Sequence, residues 1–257
     1  MLNLKLTIEY VGTAYHGWQI QPGVPTVQGT LEDRLAVALR RPVAARGAAR
    51  TDAGVHALGQ VASIQVDEGT DPGRLGRSLN ALLPDDVAVR RIEEVPEGFH
   101  ARHSARGRVY RYRILQGDAV SPFDRAFACH VRGRLDVDAM DEAARRLLGT
   151  RDFSSFRAAG DVSESPVKEM RCARVERAPD RDDLVVYTVE ASSFLQHMVR
   201  ALAGTLIEVG RGRRSPDDME KVLAARDRSV AGPTAPARGL FLVQVLYPDL
   251  APPQGRW

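Results

Sequence analysis

The run Arg50-Thr51-Asp52-Ala53-Gly54 carries the chain's most pointed chemistry: a carboxylate beside an arginine, in a short polar loop that ends in glycine. A carboxylate presented on a rigid connection can act as nucleophile or general base. An aspartate in a tight loop can equally be turn chemistry, its oxygens taken up by nearby backbone N–H groups. A second polar oddity is Arg200, placed in the most apolar helical stretch between Met198-Val199 and Ala201-Leu202. A buried guanidinium is costly unless paired. Pairing with Asp52 would hold that carboxyl ionised, whereas a long side chain can also escape to solvent. Tyr110 and Tyr112 alternate with Arg108, Arg111 and Arg113, a pattern that could stack unpaired bases while the arginines hold phosphates, or place two core tyrosines beside Ile114.

Other chemistries find little footing. The six histidines do not fall at zinc-ligand spacing with Cys129 or Cys172, and two cysteines can form at most one disulfide. Neither a phosphate-cradling P-loop nor a dinucleotide fingerprint is present. No apolar run approaches the ~20 residues that cross a bilayer, so no membrane role and a cytoplasmic location are expected. Net charge is only +3, but arginine is clustered. Arg102, Arg106, Arg108, Arg111 and Arg113 fall between His100 and Arg113 without a carboxylate, and Arg211, Arg213 and Arg214 form a second group. Such blocks suit nucleic-acid phosphates. They also suit a solvated face in a chain whose lysines are only Lys5, Lys168 and Lys221.

The elements that must position these residues can be read from periodicity. Leu2, Leu4, Leu6, Ile8 and Tyr10 alternate as a half-buried strand. Thr26 caps a helix with Val27, Leu31, Leu35 and Leu39 on one face. A short strand over 42–48 leads into the Arg50–Gly54 loop, and His56–Val66 follows as a strand. Pro72 opens a helix through Leu75, Leu79 and Leu82, and a strand covers 87–95. The second half has strands at 108–115, 168–177, 184–191 and 240–246. Its helices are one capped by Asp138 and ended by Gly149, an apolar one from Leu195 to Val209, and one opened by Ser215-Pro216. Stretches 117–135 and 151–166 look like insertions. This order predicts an α+β protein of two ferredoxin-like, split βαβ halves with mainly antiparallel sheets and a cleft between them. The halves are expected at 1–103 and 104–257.

Several segments together resemble the tRNA pseudouridine synthase A family. They are Tyr10 to Gln21 (YVGTAYHGWQIQ), Val27-Gln28-Gly29, Ala49 to Ala57 (ARTDAGVHA), Phe99-His100-Ala101-Arg102, Arg108 to Tyr112, Phe194 to Arg200, and Gly232 to Leu240. The order matches over roughly Leu4 to Pro248. The resemblance implies an isomerase that converts uridine to pseudouridine at positions 38, 39 and 40 of the tRNA anticodon stem-loop. It implies a homodimer and no cofactor or metal. Residue by residue, it implies that Asp52 is the catalytic aspartate, Arg50 assists flipping of the target nucleotide, and Tyr110 stacks on the base. Arg200 would pair with the aspartate and Leu240 would form an apolar wall. The family usually has glycine before the Arg-Thr-Asp run, where this chain has Ala49; a positive backbone φ there would strain alanine. A rival reading, an RNA-binding protein of two RRM-like units, lacks the RNP aromatic pattern.

Overall fold

In the computed structural model, which describes residues 1–248, the elements run β1 (Leu2–Tyr10), α1 (Val27–Leu39), β2 (Arg46–Gly47), β3 (His56–Val66), α2 (Pro72–Leu82), β4 (Val87–Val95), β5 (Gly107–Gln116), β6 (Cys129–Val131), α3 (Val137–Arg145), β7 (Gly149–Asp152), β8 (Val167–Ala178), β9 (Arg181–Ala191), α4 (Met198–Gly210), α5 (Asp218–Ala225) and β10 (Leu240–Leu246). The fold is α+β, with split βαβ order and almost wholly antiparallel pairing; β5 and β6 pair in parallel. The chain forms two compact units. One is Met1–Arg108 together with residues 242–248; the other is Val109–Phe241.

In the first unit β1 lies between β3 and β4, antiparallel to both, and β10 follows β3. The alternation in β1 puts Leu4, Leu6, Ile8 and Tyr10 into the core. Its register slips between Ile8 and Tyr10, and such an irregularity re-aims the side chains at a strand end. The caps follow the local chemistry. Thr26 Oγ1 accepts from Gly29 N at 3.3 Å, and Asp71 Oδ1 accepts from Arg74 N at 2.8 Å. Each such cap contributes about 1 kcal/mol. The expected short strand over 42–48 narrows to Arg46–Gly47, which pairs with Ser63 and Ala62.

The second unit has the strand order β5-β9-β8-β7, with β6 beside β5. Four expectations need correction. Asp136, not Asp138, caps α3, because its carboxylate sits three residues before the Ala139 N–H it receives at 3.0 Å; Asp138 lies in the first turn instead. The helix ends at Arg145, and Gly149 (φ 89°) starts a strand instead of stopping the helix. The apolar helix begins at Met198, since His197 adopts a left-handed conformation (φ 62°) just ahead of it. The stretch 117–135 also holds β6, so it is not wholly an insertion.

Candidate active site

The Arg50–Gly54 loop connects β2 to β3 in the first unit. It is fixed on both flanks. On the way in, Ala48 N donates to Val61 O at 2.7 Å. The fully buried Gln60 closes a two-way amide pair with Ala49, accepting from its N–H at 3.3 Å and donating to its carbonyl at 2.8 Å. Ala49 is not among the residues with positive φ, so the departure from the family glycine carries no backbone strain.

The Tyr10–Trp18 segment holds the loop itself. The Tyr10 and Thr51 hydroxyls share a buried 2.8 Å hydrogen bond. Trp18 N donates to Thr51 O at 3.1 Å, and Gly54 N to Tyr15 O at 3.2 Å. Val55 N donates to Asp52 O at 3.1 Å, closing a turn whose third residue, Gly54, has φ 77°, as glycine allows. Two glycines of the same segment permit the approach. A Cβ at Gly12 would overlap the Val55 carbonyl, and one at Gly17 would overlap that of Thr51. Gly12 N donates to His56 Nδ1 at 3.1 Å, which places any ring proton of a neutral His56 on Nε2. Tyr15 donates to Asp86 Oδ1 at 2.7 Å, and burial, then the Asp86 carboxylate, pushes its phenol up to about 12. On this frame Thr51 is buried, Asp52 half-buried and Arg50 exposed.

Tyr110, Arg200 and Leu240 lie in the second unit. Tyr110 is buried on β5 with its ring edge-on to Phe194, centroids 5.1 Å apart. Tyr112, on the same face, is a core residue: fully buried, it donates to Pro236 O at 2.7 Å. Arg200 and Glu208 are the half-buried residues of α4, whose other residues are all buried. Its Nε donates to Ala235 O at 2.8 Å, while Ala235 N donates back to the Arg200 carbonyl at 3.0 Å. The guanidinium is thus held in place at its Nε. The segment Gly232–Pro236 therefore joins α4 to β5. It packs closely because Gly204 is bare where a Cβ would overlap the Pro233 carbonyl. Leu240, buried at the start of β10, follows directly.

Reading the sequence missed Tyr10, Gly12, Gly17, Gln60 and Phe194 as parts of these arrangements. The only visible signal was that four of them, Gln60 excepted, fall inside the family-like segments. Among the described residues no group of three His, Cys, Asp or Glu side chains could hold a metal ion. Cys129 and Cys172 are free thiols. No described helix is long and apolar enough to cross a membrane.

Comparison with known proteins fits this architecture. A family profile described as tRNA pseudouridine synthase matches residues 6–104 and 143–248, placing the protein among isomerases that act on tRNA. A tRNA pseudouridine synthase A of Myxococcus xanthus is 47% identical over 98% of this chain and 94% of its own length. Those of Ruminiclostridium cellulolyticum and Geobacter sp. (strain M21) are 43% and 45% identical over their full lengths, covering 96% and 97% of this chain. The chain belongs to the tRNA pseudouridine synthase family, whose reaction is the isomerisation of uridine to pseudouridine in tRNA.

Proposed function

We propose that this enzyme acts on uridines 38, 39 and 40 of the tRNA anticodon stem-loop and that Asp52 is its catalytic group. The observation that carries this reading is the anchoring of the Arg50–Gly54 backbone by hydrogen bonds from both flanks, which presents Asp52 half-exposed on a braced loop. The reaction breaks the N1–C1′ bond, turns the base over and rejoins it through C5. Substrate and product have the same atoms and oxidation state, so the chemistry calls for a positioned carboxylate and no redox partner. A stacked uridine must first leave the helix, at a cost of a few kcal/mol. In this proposal Arg50 occupies the vacated space, Tyr110 stacks on the flipped base and Leu240 gives it an apolar wall. Arg200 keeps the reacting carboxylate ionised. A homodimer is part of the same reading and is checked by light scattering.

The decisive experiment incubates the protein with unmodified tRNA and maps pseudouridine. Asp52→Asn should bind tRNA as the parent does and form no pseudouridine. Near-normal turnover by that variant refutes the role of Asp52, and product elsewhere than 38–40 refutes the position.

A further inference from the structure

The turn from Phe99 to Ser104 is built more firmly than a surface loop requires. Asn3 Nδ2 donates to the carbonyls of Pro96, Glu97 and Phe99 at 3.1, 3.3 and 2.8 Å. The Phe99 ring packs on Tyr247, with centroids 5.0 Å apart. Ala101, fully buried, donates its N–H to Ser63 Oγ at 3.2 Å and accepts from the Tyr247 hydroxyl at 2.7 Å. The turn also closes on itself: Ser104 N donates to His100 O at 2.9 Å, and His100 Nδ1 accepts from Arg102 N at 3.1 Å. The residues facing away from these anchors are His100, Arg102 and His103, with the two imidazoles 4.4 Å apart. Burial, then the neighbouring His103 and Arg46 charges, hold the His100 imidazole below its usual range.

This cluster has unspent charge. Arg46 and Arg102 are exposed and form no ion pair among the described residues. Because His100 Nδ1 is used as an acceptor inside the turn, its Nε2 is left to donate outward. Arg46, His100, Ser63 and Gln65 line an open groove, together with Arg41, which is already paired with Asp67 at 3.2 Å. Glu97 is the one carboxylate among the lining residues; the Met1 ammonium, which also lines the groove, is paired with Glu68 at 2.9 Å. The cluster also adjoins the Asp52 loop. A single nitrogen, Arg108 Nη2, donates to both Arg102 O (3.2 Å) and Ala48 O (2.9 Å), and Ala48 is two residues before Arg50.

We infer that Arg46, His100, Arg102 and His103 form a subsite for RNA backbone phosphates, separate from the group that reacts with the base. The inference rests on the proposed tRNA substrate. Rigid N–H donors with unpaired positive charge, and few acceptors around them, suit phosphate oxygens and carry no sequence preference. Two other arginines of this block serve otherwise. Arg108 braces the turn, and Arg113 stands 4.0 Å from Asp124 and over the Phe241 ring.

The test measures binding of fluorescent, unmodified tRNA by anisotropy from 0.1 to 1 M salt, comparing the parent with Arg46→Gln/Arg102→Gln. Losing two phosphate contacts should lower the slope of log K against log salt by about 1.4–1.8, which amounts to roughly a 25- to 60-fold loss at 0.1 M that vanishes near 1 M. Arg46→Lys/Arg102→Lys should restore most of the slope. An unchanged slope and affinity in the glutamine variant, with an unchanged melting profile, overturns the subsite. Pseudouridine mapping with the parent reads the other assignment independently. The expected slope change in the glutamine variant, with a parent that makes no pseudouridine, defeats the catalytic reading and leaves the subsite standing.

Discussion

The Tyr10–Thr51 hydrogen bond offers the sharpest test of how the loop is held. Its oxygens are 2.8 Å apart, and both residues are buried, 4% and 7% exposed. Tyr10→Phe keeps the ring that packs 6.2 Å from Trp18 but leaves the Thr51 hydroxyl buried without its partner. That costs about 1–3 kcal/mol. Thr51→Val leaves the Tyr10 hydroxyl in the same position, and the Gln60 amide, the other polar group near it, makes this the milder change. The double variant removes both groups, so its loss should fall short of the summed singles by about 0.5–3 kcal/mol. At about 2–4 °C per kcal/mol for a chain of this size, Tyr10→Phe should lower the melting temperature by roughly 2–12 °C. The functional consequence is separable. If the bond also fixes where Asp52 points, Tyr10→Phe should turn over more slowly at saturating tRNA, since a displacement near 1 Å can cost about 100-fold. Urea unfolding supplies the stability cycle, and single-turnover pseudouridine formation supplies the rate. Additivity within about 0.3 kcal/mol refutes the coupling, and parental turnover in Tyr10→Phe refutes the positioning.

Two further outcomes follow from the same frame. Gly12→Ala places a methyl group onto the Val55 carbonyl; overpacking against backbone costs about 1–3 kcal/mol, and the strain should appear as slower turnover with a folded circular dichroism spectrum. Alkaline pH should loosen the first unit. Burial, and then Asp86, raises Tyr15 from 10.0 to about 12, and burial raises Tyr10 as well. Both phenols stay protonated in folded and unfolded chains below pH 10. Their stabilisation is therefore complete there and drains away as pH climbs from about 10 toward 12. Urea melts across that range should show the fall, and Tyr15→Phe should flatten it; an unchanged slope in that variant counts against the Tyr15 assignment.

Strong periodicity made much of the fold legible. β3, α2, β4 and β10 span the residues that alternation and four-residue spacing mark out, because one buried face dictates each pattern. β6 and β7 were not legible, since three or four residues carry too little pattern and their existence depends on a partner strand. Two aspartates two apart offered α3 two caps, and only geometry selects Asp136. Leu195 continues the apolar rhythm of α4, so nothing in periodicity announces the left-handed His197. The Asp52 loop was visible as chemistry but ambiguous as a site. Its support comes from Tyr10, Gly12 and Gly17, 34 to 43 residues away along the chain, and local pattern is silent about contacts at that range.

The pairing of β10 with the first unit has a consequence in time. Leu246 O accepts from Arg106 N, the Tyr247 hydroxyl reaches Ala101, and Gly59 is bare where Val243 passes over it. On the ribosome, residues 1–108 emerge first but must wait for roughly 130 more residues before that strand arrives, a delay on the order of ten seconds. Until then the part of the β3 edge not covered by β2 is open to any passing strand. The nascent protein is therefore most exposed to mispairing while its second unit is being made, and the 99–104 turn acquires its Tyr247 anchor only when that interval closes.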